Sequence, residues 1–329
     1  MKERIVYIDV LRGIAMFAVV YSHILLFCLQ PYPESIFVSF LRKYMLSGFF
    51  FVSGYMTYKQ INWNISVTLK YIYKKIKTLL IPTVVMGGGY IIVHNIPAYR
   101  MLFDCAKMGY WFTYTLFIMS AIYSILMLMM RKFSKKWIVS FILVFFSILM
   151  LIISRTPYVN GRVQDLFSLS SLANYFLYFI VGIIAKIYEN EFNKYIVGSS
   201  SGKLIITAIL VLSYVIHIPS FITNLSIVLF VYFVVKDLVE KYSTSRITSL
   251  FSYIGKNTIE IYFLHYFLLF QLPTVISKYL LSLSSSSIFY DFPELLIVGS
   301  FSILICLGCI FMSMLLKQIP LVKKFAFGK

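Results

Sequence analysis

Two ionisable side chains in the first apolar segment could do chemistry together. Arg12 and His23 are eleven steps apart, and at about 100° and 1.5 Å a step an α-helix returns them to nearly one face, roughly 16 Å apart. A cation and an imidazole inside a membrane are costly and usually functional. Asp9, three residues before Arg12, suits a local ion pair with it. The alternative is structural: Arg12 reaches lipid phosphate and His23 is a buried histidine with its hydrogen bonds satisfied.

A second apolar segment, residues 250–272, also contains ionisable groups. Glu260 and His265 both lie inside it, so they are further candidates for proton transfer. A simple ion pair between Glu260 and Lys256, one turn earlier, is the structural alternative.

A run of lysines precedes the third apolar segment. Lys70, Lys74 and Lys77 recur at one-turn spacing and share a helix face, so they could hold phosphates as point charges. The alternative is an ordinary basic anchor at the inner membrane surface. The four histidines are scattered and few carboxylates lie near them, so no metal site is expected.

The elements that position these residues are apolar throughout. Of 329 residues, 60% are hydrophobic and 13% charged, whereas a soluble domain is roughly 45–50% apolar and about 25% charged. A soluble enzyme with a membrane anchor and a disordered chain are therefore excluded. Solid apolar runs predict helices, since membrane strands alternate. We expect an all-α polytopic membrane protein forming one domain, 1–329, with about ten transmembrane helices near 7–29, 36–58, 78–94, 110–130, 137–154, 171–187, 204–218, 219–235, 250–272 and 293–316. The break before the eighth segment rests on His217-Ile218-Pro219-Ser220.

The net charge of +18 is mostly explained by topology. When the N-terminus is placed in the cytoplasm and the segments alternate, most of the lysines and arginines fall on inner segments. The outer loops then carry only Arg100, Lys107, Arg155, Arg162 and Lys278. This bias predicts that both termini are cytoplasmic in the cell membrane and that the cationic surface contacts anionic lipid. Nucleic acid is not needed to explain the charge.

Six motifs, in order along nearly the whole chain, resemble the integral-membrane acyltransferase family 3, which includes bacterial O-acetyltransferases of surface polysaccharides. They are Arg12 with His23, the aromatic-Ser-Gly element 49–55 with Ser53, the basic pair Lys74 and Lys77 before Pro82, Trp111-Phe112, residues 175–182, and the Gly…Tyr…His element with Gly255, Tyr262 and His265. Two departures are visible. Leu46-Ser47 stands where the family often has Met-Pro, and lysines replace arginines at the basic pair, which removes bidentate phosphate geometry.

The resemblance implies an O-acyltransferase that moves an acetyl group from cytoplasmic acetyl-CoA to a glycan hydroxyl. It implies that Arg12, Lys74 and Lys77 bind the coenzyme and that His23 is a general base or acyl carrier. Asp9 would orient Arg12, and Glu260 or His265 would assist proton transfer. Trp111, Ser53 and Tyr262 would contact substrate.

Three other functions stay open. The family resemblance is also compatible with transfer of succinyl instead of acetyl. A transporter or exporter of a glycan or small solute has a similar helix count, but it more often shows repeated halves. A structural or sensory membrane protein would be indifferent to substitution of Arg12 and His23.

Overall fold

The computed structural model describes residues 5–29, 35–133, 135–155, 161–216, 218–242, 245–286 and 291–328. In these ranges every regular element is a helix. The helices are α1 Val6–His23, α2 Ile36–Thr57, α3 Ile65–Lys75, α4 Ile81–Val93, α5 Arg100–Phe103, α6 Trp111–Met129, α7 Lys136–Ser154, α8 Gly161–Phe167, α9 Leu169–Ile187, α10 Glu189–Glu191, α11 Ser200–Val215, α12 Ser220–Lys241, α13 Arg246–Lys256, α14 Thr258–Leu268, α15 Thr274–Ser286, α16 Asp291–Leu316 and α17 Pro320–Ala326. Short π-helical turns, Ile24–Cys28, Ile76–Leu80 and Phe192–Val197, follow α1, α3 and α10.

The predicted all-α, multi-pass class is confirmed. Within the described ranges eight helices are long and apolar enough to cross a membrane, and a ninth arises if Glu189–Val197 and Ser200–Val215, bent by 71°, are one span. The ninth predicted segment, 250–272, is instead the two short helices α13 and α14. The count of about ten, the cytoplasmic termini and the single domain stay predictions, and His217 lies outside the described residues.

The chain forms two compact units. The first comprises Met1–Val52 and Asn190–Leu315, and the second comprises Ser53–Glu189 and Leu316–Lys329. Each is described by itself below.

The first unit is organised around the packing of α1 on α13. A Cβ atom added at Gly13 would collide with the carbonyl oxygen of Phe251, and one added at Gly255 would collide with that of Asp9. The two backbones therefore touch, as small residues permit between membrane helices. The Tyr44 hydroxyl donates to the carbonyl of Leu11 at 3.1 Å, which ties α2 to the same helix.

The second unit contains α3, α4, α6, α7 and α9. The hydroxyls of Thr83 and Thr113 lie 2.6 Å apart and join α4 to α6. A Cβ atom at Gly54 would collide with the carbonyl oxygen of Phe179, so the end of α2 packs closely on α9. The sequence places the third span at 78–94, but the helix runs unbroken over Ile65–Val93, and the lysine run is part of it.

The contact between α1 and α13 predicts a test. Gly255→Val places side-chain atoms where the Asp9 carbonyl lies, so we expect it to destabilise the fold by about 1–3 kcal/mol and to lower the apparent melting temperature in detergent. Gly88→Val is the matched control, because a Cβ atom at Gly88 meets nothing within 4 Å. Equal melting temperatures of the two variants would contradict the proposed backbone contact.

Candidate active site

The first helix places the two residues that the sequence singles out. α1 is continuous from Val6 to His23, so Arg12 and His23 share one helix as predicted. Asp9 lies one turn before Arg12 and is only 4% exposed. His23 is the last α-helical residue, and a π-helical turn follows it directly. Such turns occur frequently at functional sites, because they shift the register of the side chains that come after.

A break between α13 and α14 positions the partner of Arg12. α13 ends at Lys256, Asn257 has φ −115° and ψ 23°, and α14 starts at Thr258. One guanidinium nitrogen of Arg12 donates to the Thr258 hydroxyl at 2.7 Å. The break therefore brings the beginning of α14 to the cation on α1, whereas the sequence predicts one continuous segment here.

The central feature of the site is a pair of histidines. Nδ1 of His23 and Nε2 of His265 lie 2.9 Å apart, at hydrogen-bond distance. The two ring planes differ by only 9° and their centroids are 5.1 Å apart, which together with the N–N distance fits an edge-to-edge hydrogen bond in the plane of the rings. His265 is fully buried, with 0% exposure. Sequence analysis selects both residues but does not predict their contact.

The backbone around His265 determines which nitrogen of each ring bears hydrogen. Nδ1 of His265 lies 3.0 Å from the carbonyl oxygen of Ile261 and 2.8 Å from that of Tyr262. A carbonyl only accepts, so Nδ1 of His265 must be the donor.

This assignment extends to the second ring. A buried imidazolium would be costly, so His265 is neutral and its Nε2 is an acceptor. His23 must therefore donate from Nδ1, which leaves its Nε2 with a free lone pair. The chain of hydrogen bonds runs from the α14 backbone through His265 to His23, and it presents one basic nitrogen.

Aromatic rings surround the pair. The His23 ring lies 5.1 Å from that of Tyr266 and 5.6 Å from that of Phe27, measured between centroids. The Tyr262 ring is 6.1 Å from that of His265. These rings confine both imidazoles and limit the rotamers that would break the hydrogen bond between them.

The two predicted carboxylates lie on the helices that carry the histidines. Glu260 is in the first turn of α14 and is 1% exposed, whereas Lys256 is exposed. Asp9 is buried on α1. Both carboxylates are therefore near the junction that Arg12 and Thr258 make. Their part in the reaction stays a prediction.

Four predicted residues belong to the second unit. Lys74, near the end of α3, and Lys77, in the π-helical turn, are exposed, and the Lys77 ammonium lies 4.4 Å from the centroid of the Tyr73 ring. Trp111 begins α6 and stacks on Tyr175 with centroids 5.8 Å apart. Ser53 lies in α2 and is partly buried.

Sequence analysis missed one buried carboxyl group. Glu294, in the first turn of α16, is 0% exposed, and the Tyr21 hydroxyl donates to its Oε1 at 2.7 Å. Tyr21 is two residues before His23, so this bond ties α16 to the end of α1 that carries the imidazole. The available signal was an acidic residue at the start of the apolar run 293–316.

Among the described residues no three His, Cys, Asp or Glu side chains could share a metal ion.

Comparison with known proteins identifies the class. The chain matches the model of the acyltransferase domain of acyltransferase family 3 over residues 5–314, and it belongs to that family. No curated protein and no solved structure matches it significantly. The protein is thus a multi-pass membrane acyltransferase.

The histidine pair makes a prediction about His265 as a positioning residue. His265→Leu removes the acceptor for the Nδ1 hydrogen of His23, while His265→Gln offers an amide oxygen in a similar place. We expect the leucine variant to lose about 10²-fold in kcat for acyl transfer, and the glutamine variant to retain clearly more. The KM for the acyl donor should stay near that of the unaltered protein in both.

A purely structural role of His265 predicts a different result. Both variants would then lose activity only in proportion to the loss of folded protein, which size-exclusion profiles and melting temperatures measure. Equal kcat values for the two variants would contradict the positioning role.

Proposed function

We propose that the protein moves an acyl group, acetyl in the first instance, from cytoplasmic acyl-CoA to a hydroxyl of a cell-surface polysaccharide or of its lipid-linked precursor. The observation that carries this proposal is the 2.9 Å distance between Nδ1 of His23 and Nε2 of His265, from which we infer that Nε2 of His23 keeps its lone pair for the reaction. A neutral imidazole nitrogen with a fixed tautomer is what proton abstraction from a sugar hydroxyl requires.

The reaction follows from that nitrogen. Nε2 of His23 takes the proton of the acceptor hydroxyl as its oxygen attacks the thioester carbonyl. The carbon–sulfur bond breaks, and the leaving thiolate takes the proton back from the imidazolium, so that an ester and free CoA result. In the alternative route Nε2 attacks the thioester carbonyl and the carbon–sulfur bond breaks, which releases CoA as a thiolate. The acceptor hydroxyl then takes the acyl group from the ring, its proton passes to the thiolate, and the neutral imidazole is restored. Both routes need the same lone pair.

The hydrogen bond to His265 assists either route. The Nδ1–H of His23 is already directed at His265, so the ring does not rotate when positive charge develops on it. The partner ring accepts that hydrogen and stabilises the imidazolium. Glu260 is the carboxylate of α14 that we assign to proton transfer around this pair, and Asp9 is assigned to orient Arg12.

The donor is assigned to the basic residues. Arg12 would bind a coenzyme phosphate with its guanidinium, and Lys74 and Lys77 would act as point charges on the phosphates. The exposure of both lysine side chains supports this assignment. The excess of Lys and Arg on inner loops supports a cytoplasmic donor side at the plasma membrane. Trp111, Ser53 and Tyr262 are assigned to substrate contact.

The direct test uses the purified protein with labelled acetyl-CoA and fractionated cell-envelope glycans. We expect label on a glycan, and we expect His23→Ala to lower the initial rate about 10²–10⁴-fold. His94→Ala is the matched control, because His94 is exposed and its ring contacts Tyr90 in the second unit.

Two outcomes bear on the alternatives. A parallel reaction with labelled succinyl-CoA decides which acyl group is transferred. If folded His23→Ala protein acylates the glycan at the rate of the unaltered protein, the assigned role of His23 is wrong.

A further inference from the structure

A cavity of about 260 Å³ lies just past the end of α1, in the unit that contains the histidine pair. One side is the π-helical turn with Leu26, Phe27 and Cys28, and the other is the segment around α15 with Gln271, Thr274 and Ser277. Apart from Phe27, which packs against His23, these residues have no part in the mechanism above. The cavity is large enough for a single sugar ring.

Both walls continue the helices that carry the histidines. The π-helical turn begins at the residue after His23, and the extended chain after α14 begins four residues after His265. The amide of Leu272 donates to the carbonyl of Cys28 at 3.0 Å and joins the walls. The cavity and the histidine pair therefore belong to one framework.

Phe27 lies between the cavity and the imidazole ring of His23. Its side chain lines the cavity and is 49% exposed, and its ring centroid lies 5.6 Å from that of His23. A ligand seated on the Phe27 ring is thus one ring away from His23, and only a group that extends past the edge of Phe27 reaches the imidazole.

The chemistry of the lining selects the ligand. Gln271 contributes an amide and Thr274 a hydroxyl, which donate and accept hydrogen bonds. The Ser277 hydroxyl donates to the Thr274 carbonyl at 3.0 Å, so it is only an acceptor for a ligand. The half-exposed phenyl ring offers an apolar face. Among the residues that the structure describes, those that line the cavity are all uncharged, so against them a carboxylate or phosphate would lose water without gaining an ion pair.

We propose that this cavity binds the neutral sugar unit whose hydroxyl is acylated, with Gln271 as a specificity-determining residue. The inference rests on the proposed function and adds the acceptor's place and class. The amide of Gln271 binds the hydroxyls of the sugar, and Phe27 lies beneath its apolar face. The hydroxyl that extends past the edge of Phe27 to His23 is the one that reacts.

The test measures transfer from labelled acetyl-CoA as the concentration of the envelope glycan is varied. Gln271→Leu keeps the size of the side chain and removes its hydrogen bonds, so we expect the KM for the glycan to rise about 10-fold. We expect kcat, and the glycan-independent hydrolysis of acetyl-CoA, to change less than about 2-fold. Thr274→Val should raise the same KM. Gln318→Leu, an exposed glutamine of the second unit, is the matched control.

The outcomes separate the two proposals. If the unaltered protein transfers no label to any glycan, the proposed function fails. If it transfers label but Gln271→Leu and Gln318→Leu have equal KM values, the cavity proposal alone fails. Mass spectrometry of the labelled glycan gives a second readout: the acetyl group on a neutral sugar supports the proposal, and on a uronic acid overturns it.

Discussion

The close contact between α1 and α13 is the constraint on which the site depends. Two glycines, Gly13 and Gly255, let the helix backbones meet, with each carbonyl occupying the space that a Cβ atom would take. Because α13 is held there, the break at Asn257 starts α14 beside α1. Thr258 then receives the hydrogen bond of Arg12, and two turns later His265 meets His23. Lipid gives no hydrophobic force between helices, so such packing and these polar bonds hold the arrangement.

The same arrangement explains why a histidine, rather than a carboxylate, supports His23. A buried carboxylate must be compensated for its lost hydration, whereas a neutral imidazole needs only a donor and an acceptor. His265 obtains its acceptors within one turn, because the carbonyls of Ile261 and Tyr262 accept its Nδ1 hydrogen, and its donor is Nδ1 of His23. Its orientation is thus determined by its own helix, and it transmits that orientation to His23.

Much of the fold could be predicted from the sequence, because apolar runs have one physical solution in lipid. The unbroken first helix, and with it the shared helix of Arg12 and His23, follows from hydropathy and helix geometry. The sequence prediction ran one span across the break at Asn257, although Lys256, Asn257 and Thr258 interrupt the apolar run there. The position of α14 beside α1 depends on packing between helices, which hydropathy does not show. The pairing of His23 with His265 and that of Tyr21 with Glu294 join residues more than two hundred positions apart. Periodicity carries no information on such contacts.

The residues of the site could be predicted from the sequence, whereas the contacts between them could not. His23, His265, Arg12, Asp9 and Glu260 are all visible as ionisable residues in apolar segments, and they lie in one unit. The cavity beside Phe27 was not visible, because its polar residues are neutral and fall where the chain leaves a helix. Neutral polar residues at helix ends are too common to mark a site by sequence.

The tautomers of the two histidines test the central claim most directly. Nitrogen-15 NMR of histidine-labelled protein, with His23→Ala and His265→Ala used for assignment, reports which ring nitrogen carries hydrogen. The account predicts that His23 and His265 are both neutral with hydrogen on Nδ1, and that His23 loses this preference in His265→Ala. A His23 with hydrogen on Nε2 in the unaltered protein would contradict it, since the nitrogen assigned to the reaction would then have no free lone pair.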